Sequence, residues 1–184
     1  MQNMLANLRA RREDDERGFT LIELMVVVLI IAILIAIAIP TFLGAKTRAQ
    51  DKAAQSSLRN GLTNAKGIYT DQDTYGASAN LITGLTAAEP SLTFQSGAST
   101  GAKVVSVETR SVGTLTNNAV ILVAKSSSGV CYAIADIANG PGTMFANMGS
   151  TATCNAATAP STTGLTAAPT ATNATSGGGW AQAW

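Results

Sequence analysis

Arg17-Gly18-Phe19-Thr20-Leu21-Ile22-Glu23-Leu24-Met25 opens an apolar run that continues to Ile39 and stops at Pro40. The sixteen residues from Leu24 to Ile39 are all Leu, Met, Val, Ile or Ala, and Phe19 to Ile39 makes twenty-one. At about 1.5 Å of rise per residue, a helix of that length matches a hydrocarbon layer roughly 30 Å thick. The run therefore reads as a membrane-spanning helix. Glu23 interrupts it near its start, and an ionisable group in such a helix calls for a cationic partner. Gly18, between Arg17 and Phe19, would give a peptidase access at the membrane face.

Gly18-Phe19-Thr20-Leu21-Ile22-Glu23-Leu24-Met25-Val26 resembles the processing motif of type IV prepilins and of type II secretion pseudopilins. Pro40 falls where many of those proteins carry a helix-kinking proline. The resemblance implies cleavage by a prepilin peptidase between Gly18 and Phe19, N-methylation of Phe19, and filament assembly involving Glu23 and Pro40. It implies an α+β fold, with a long N-terminal helical stem packed against a small antiparallel β-sheet head. The partners it implies are other pilin subunits in a helical homopolymer, the prepilin peptidase, an assembly ATPase with its inner-membrane platform, and membrane lipid before assembly. Electrostatics allows Glu23 the same role independently, with a carboxylate that lies at the headgroup level and reaches water as the alternative reading. If identical helices stack with a small axial stagger, the free α-amino group of one Phe19 approaches the Glu23 carboxylate of the next chain.

The chain has 184 residues, enough for one globular domain beyond the leader and the apolar helix. Charged residues make up only 12% and the net charge is +1, with no Lys/Arg cluster after Arg59, so nucleic-acid binding is not supported. There is no histidine, which removes the commonest general base and an ordinary zinc site. Cys131 and Cys154 are the two cysteines. On the oxidising side of a membrane they read as a disulfide, with two buried thiols as the alternative.

Residues 1–18 form the expected leader, in which Arg9, Arg11, Arg12 and Arg17 face Glu13, Asp14, Asp15 and Glu16. Arginines weigh more than acids in setting orientation, so the N-terminus is expected in the cytoplasm and the domain outside. The chain would start as a single-pass protein of the cytoplasmic membrane and end in an extracellular pilus. Ala36-Ile37-Ala38 has the small-x-small form of a signal-peptidase site, but the apolar run is too long for a usual secretory signal. Residues 19–40 read as the transmembrane and assembly helix, and residues 41–70 as its amphipathic continuation, with apolar positions such as Leu58, Leu62 and Ala65 at helical steps.

Residues 71–102 are polar and Gly-rich and read as a connecting region with one short helical turn near Ala87 to Ser91. Residues 103–154 carry strand signals at Lys103 to Arg110, Ala119 to Lys125 and Val130 to Ile137, with a further short strand near Thr143 to Met148. That spacing predicts an antiparallel meander covering the upper stem. Residues 155–184 are Thr-, Ala-, Ser- and Gly-rich and read as a tail that buries little, with Trp180 and Trp184 free to dock on the domain or on a neighbouring subunit.

No nucleophile elbow or phosphate-cradling loop is present, and Asp136 is the only acid after Arg110. Asp71 and Asp73 read as a helix-end pair. No catalytic residue, cofactor or metal is expected. Major pseudopilins of the family usually hold calcium in a C-terminal loop, and calcium wants six to eight oxygens; Asp136 alone cannot supply them. The resemblance thus favours a pilin, with a secretion or competence pseudopilin as the alternative and a signal-anchored surface protein as a remote one.

Overall fold

The computed structural model describes residues 19–138, 140, 142–150, 153–160 and 179–184. The chain divides into two compact units, Met1–Ala45 and Lys46–Trp184. The leader, and an Asn173-Ala174-Thr175 stretch that fits the N-glycosylation sequon, lie outside the described residues. Helix α1 is Leu21–Gln72, 52 residues long with Pro40 inside it. In the first unit its large apolar side chains, from Leu21 to Ile39, are all exposed. Among the described residues α1 is the one helix long and apolar enough to cross a membrane.

In the second unit α1 buries Ala54, Leu58, Gly61, Leu62 and Ala65, a stripe at steps of three and four. It packs on a five-stranded sheet of order β1-β2-β3-β4-β5: Thr93–Gln95, Val104–Val112, Leu115–Lys125, Cys131–Ile137 and Gly142–Gly149. β2 to β5 form the antiparallel meander, and β1 adds to β2 in parallel. The fold is α+β, a long apolar N-terminal helix followed by a mostly antiparallel sheet.

β3 lies in the middle of the sheet and is buried from Asn118 to Ala124, because both faces are covered. Leu122, Ile134 and Val107 meet the α1 stripe on one face. Ile121, Ala133 and Met144 meet the disulfide, Ala156, Ala159 and Trp180 on the other. Strand alternation divides one β-rich stretch between two cores. The C-terminal residues read as a tail that buries little therefore line the second core at Ala156, Ala159 and Trp180.

Residues 71–102 also hold more regular structure than their composition signals. Helix α2, Ser78–Ala88, starts from Ala77, whose side chain makes no capping hydrogen bond. With no cap signature and with Gly84 and two threonines inside it, α2 has little local signal and is held by burial of Leu81 and Leu85. Strand β1 is three residues long and exists because Phe94 packs over Gly61 of α1. A Cβ at Gly61 would stand 3.1 Å from the Phe94 ring and 3.2 Å from Leu122, so glycine permits this approach. Asp73, with φ of 54°, takes up the left-handed conformation that ends α1, and its N–H donates to the Tyr69 carbonyl.

Candidate functional site

Gly18 lies outside the described residues; Phe19 follows it and is 88% exposed. The start of α1 is closed by a reciprocal pair. Thr20 donates to Glu23 Oε2 through its N–H at 2.8 Å and through its hydroxyl at 2.7 Å, while the Glu23 N–H donates back to Thr20 Oγ1 at 3.2 Å. Thr20 and Glu23 thus form the Thr-x-x-Glu capping box, which satisfies orphan donors of the first turn. Both bonds from Thr20 end on Oε2, which leaves the other carboxylate oxygen outside the box. Glu23 was legible in the sequence as a group calling for a cationic partner, and the Thr20 three residues earlier was the signal, missed there, for a neutral donor within its own chain.

Pro40 lies within α1, where it brings no N–H for the carbonyl of Ala36. Beside it the Thr41 hydroxyl donates to the Ile37 carbonyl at 3.1 Å. The candidate assembly surface in this unit is therefore an apolar helix with one capped carboxylate at its start.

Two polar anchors hold α1 to the sheet within the second unit. Lys66 Nζ stands 2.8 Å from Asp136 Oδ1 on β4 and donates to Thr143 Oγ1 on β5 at 2.7 Å. The Thr143 hydroxyl donates to Asp136 Oδ1 at 2.9 Å, and the Tyr75 hydroxyl to Oδ2 at 2.7 Å. Burial, reinforced by the bond to Asp136 and its charge, pushes the Tyr75 phenol well above the ordinary tyrosine range. Fifteen residues earlier on α1, Asp51 accepts a short hydrogen bond from the Ser128 hydroxyl on the β3–β4 turn. Burial works to raise the Asp51 pKa, but hydroxyls of Ser128, Ser126 and Tyr132 outweigh it and hold the carboxyl below its usual range. Neither anchor was visible in the sequence, since their partners are about sixty to eighty residues apart.

Cys131 and Cys154 are bonded, with Cα atoms 5.5 Å apart. The bond ties the first residue of β4 to a segment whose Cys154 carbonyl accepts from the Ser99 N–H at 2.7 Å. Arg110 donates to the carbonyls of Ala156, Ala157 and Pro160, closing a short 3₁₀ turn at Ala156–Thr158 over the second core. Among the described residues no three His, Cys, Asp or Glu side chains converge as metal ligands.

Residues 14–39, which include Gly18, Phe19 and Glu23, match the family model described as the prokaryotic N-terminal methylation motif. Over 66 residues the chain is 47% identical to the type IV major pilin protein PilA of Myxococcus xanthus (strain DK1622). That stretch makes up 36% of this chain and 30% of the relative, so the chain aligns with less than a third of that protein's length. No solved structure matched the chain.

Proposed function

We propose, from an N-terminal motif and a curated relative that support the type IV pilin family, that this chain is a structural pilus subunit that polymerises through α1. One observation carries the reading: the methylation-motif match falls on a helix segment whose large apolar side chains are all exposed in the single chain. Such a surface needs a cover. Lipid supplies it first, with Phe19 to Ile39 in the cytoplasmic membrane and the second unit outside; equivalent helices of other copies supply it after assembly. Transfer from lipid to protein brings no net hydrophobic gain, so packing and polar pairing set the stability of the polymer.

Cleavage after Gly18 by a prepilin peptidase would create an α-amino group on Phe19, one residue before the N-cap Thr20. N-methylation leaves that amine positively charged. It then lies at the positive end of the helix dipole, an unfavourable place for a cation. The Glu23 carboxylate of an adjacent copy offsets this charge, and the capping box holds the receiving carboxylate at the helix start. Pro40 would let the helix adjust locally as copies pack. The chain carries no nucleotide-binding motif, so an assembly ATPase and membrane platform would supply the energy.

Asp136, the only acid that a C-terminal calcium loop could use, is already engaged by Lys66, Tyr75 and Thr143. That engagement supports a pilin over a calcium-holding pseudopilin. The test is Glu23→Ala in the native host. Processed, membrane-inserted subunit without surface filaments in electron microscopy is expected, and normal filaments would overturn the pairing. Gly18→Val should leave the uncut form, read by mass spectrometry of the N-terminus; correct trimming of that variant would overturn the cleavage site.

A further inference from the structure

Strand β5 is an edge strand, and its sequence carries none of the usual protections. From Gly142 to Gly149 there is no charge and no proline, and no charged side chain occurs anywhere from Ile137 to Trp184. Edges are ordinarily guarded by lysines, prolines, short length or a covering segment, because their free N–H and C=O groups pair with another chain. The nearby cations Lys66 and Arg59 come from α1 and are turned onto Asp136 and the Trp184 ring.

The cover is the C-terminus. Ala181 exchanges both backbone hydrogen bonds with Phe145, N–H to carbonyl at 2.6 and 2.8 Å, which is the one backbone pairing on the outer side of β5 among the described residues. A tryptophan grips the sheet on each side of that bridge. Trp180, only 4% exposed, lies in the second core and donates to the Pro160 carbonyl at 3.1 Å. Trp184 packs against the first core, 4.6 Å from the Phe145 ring, and its indole N–H donates to the Ala133 and Ala146 carbonyls at 3.2 and 3.1 Å.

We infer that the segment 179–184 is an edge guard: it occupies β5 and so blocks a self-complementary antiparallel pairing with β5 of a second copy. Strand alternation turns the backbone of Thr143 and Asn147 outward along with Phe145. Two such edges meeting about a two-fold axis would join the sheets of two copies into one. Displacing the C-terminus therefore converts a closed edge into an association surface.

The experiment uses the full chain in detergent, comparing wild type with Ala181→Pro/Trp184→Ala. The proline removes the N–H donated to Phe145, and the alanine removes the anchor. Light scattering should show dimers forming at least about tenfold more readily than in wild type, with amides of Thr143 and Asn147 exchanging more slowly as concentration rises. Adding Asn147→Lys, which places a charge on the opened edge, should return the wild-type mass. A variant of unchanged mass whose β5 amides merely exchange faster would overturn the inference, and so would association that Asn147→Lys leaves intact. Should the double variant lose its near-ultraviolet circular dichroism, Ala181→Pro alone, which keeps both tryptophans, is held to the same two criteria.

Discussion

The Tyr75 hydroxyl donates to Asp136 Oδ2 at 2.7 Å, bonding the segment just after α1 to the end of strand β4. Lys66 and Thr143 meet the other oxygen of the same carboxylate, so α1, the segment after it and β5 converge on one acid of β4. Asp136→Ala would leave the Tyr75 and Thr143 hydroxyls without their acceptor and the Lys66 ammonium without its counter-ion. Lys66 is partly exposed and regains water, so the expected loss is about 2–3 kcal/mol rather than that of a fully buried pair. Thermal unfolding of the variant measures it.

Tyr75→Phe isolates one of those bonds. The ring stays 4.8 Å from Tyr69 while the hydroxyl is lost, which should cost about 1–2 kcal/mol. Its pH dependence is more diagnostic. The native state keeps the phenolic proton that the unfolded chain releases near pH 10, so stability is full below about pH 10 and falls above it. Tyr132, raised by burial and by Asp51, acts in the same sense. Denaturation between pH 8 and about 11 should show a shallower alkaline decline in Tyr75→Phe.

Asp51 sets the acid limb. Its native pKa is lowered, so its contribution is present above the unfolded value near 3.9 and is lost as pH falls through the native value. Ser128→Ala removes a principal donor and should weaken the protein at neutral pH by about 1 kcal/mol. The difference from wild type should shrink below about pH 3, as read by acid titration of circular dichroism.

Gly61 and Gly67 make opposite forecasts from the same helix. Gly67 has open space where a Cβ would go, so Gly67→Ala should stabilise by about 0.5–1 kcal/mol through helix propensity alone. Gly61→Val would push against Phe94 and Leu122 and should cost about 1–3 kcal/mol. Urea midpoints of the two variants distinguish the cases.

Cys131→Ala/Cys154→Ala opens a loop of 23 residues' separation. In the chain-entropy model this lowers stability by about 3 kcal/mol. Calorimetry of the variant beside the reduced wild type checks it.

Residues 19 to 70 were legible as one helix because their evidence is local: an uninterrupted apolar run, then apolar positions at helical steps. The strands of the meander were legible for the same reason, through β-branched runs bounded by turn residues such as Gly113 and Gly129. The Gly18-to-Val26 stretch carried the resemblance that the motif match and the pilin relative support. Thr20-x-x-Glu23 was equally local, a capping-box spacing contained within four residues.

Tertiary structure alone decided the rest. Helix α2 and strand β1 have weak propensity and no cap, and they exist because Leu81, Leu85 and Phe94 find buried places. Asp136 was a lone acid in the sequence and became the meeting point of residues 66, 75 and 143. Trp180 and Trp184 had no assigned surface until the two faces of β5 supplied one. Sequence periodicity reports which side of an element is apolar; which distant side chain arrives there depends on chain topology, and no short window of residues contains that information.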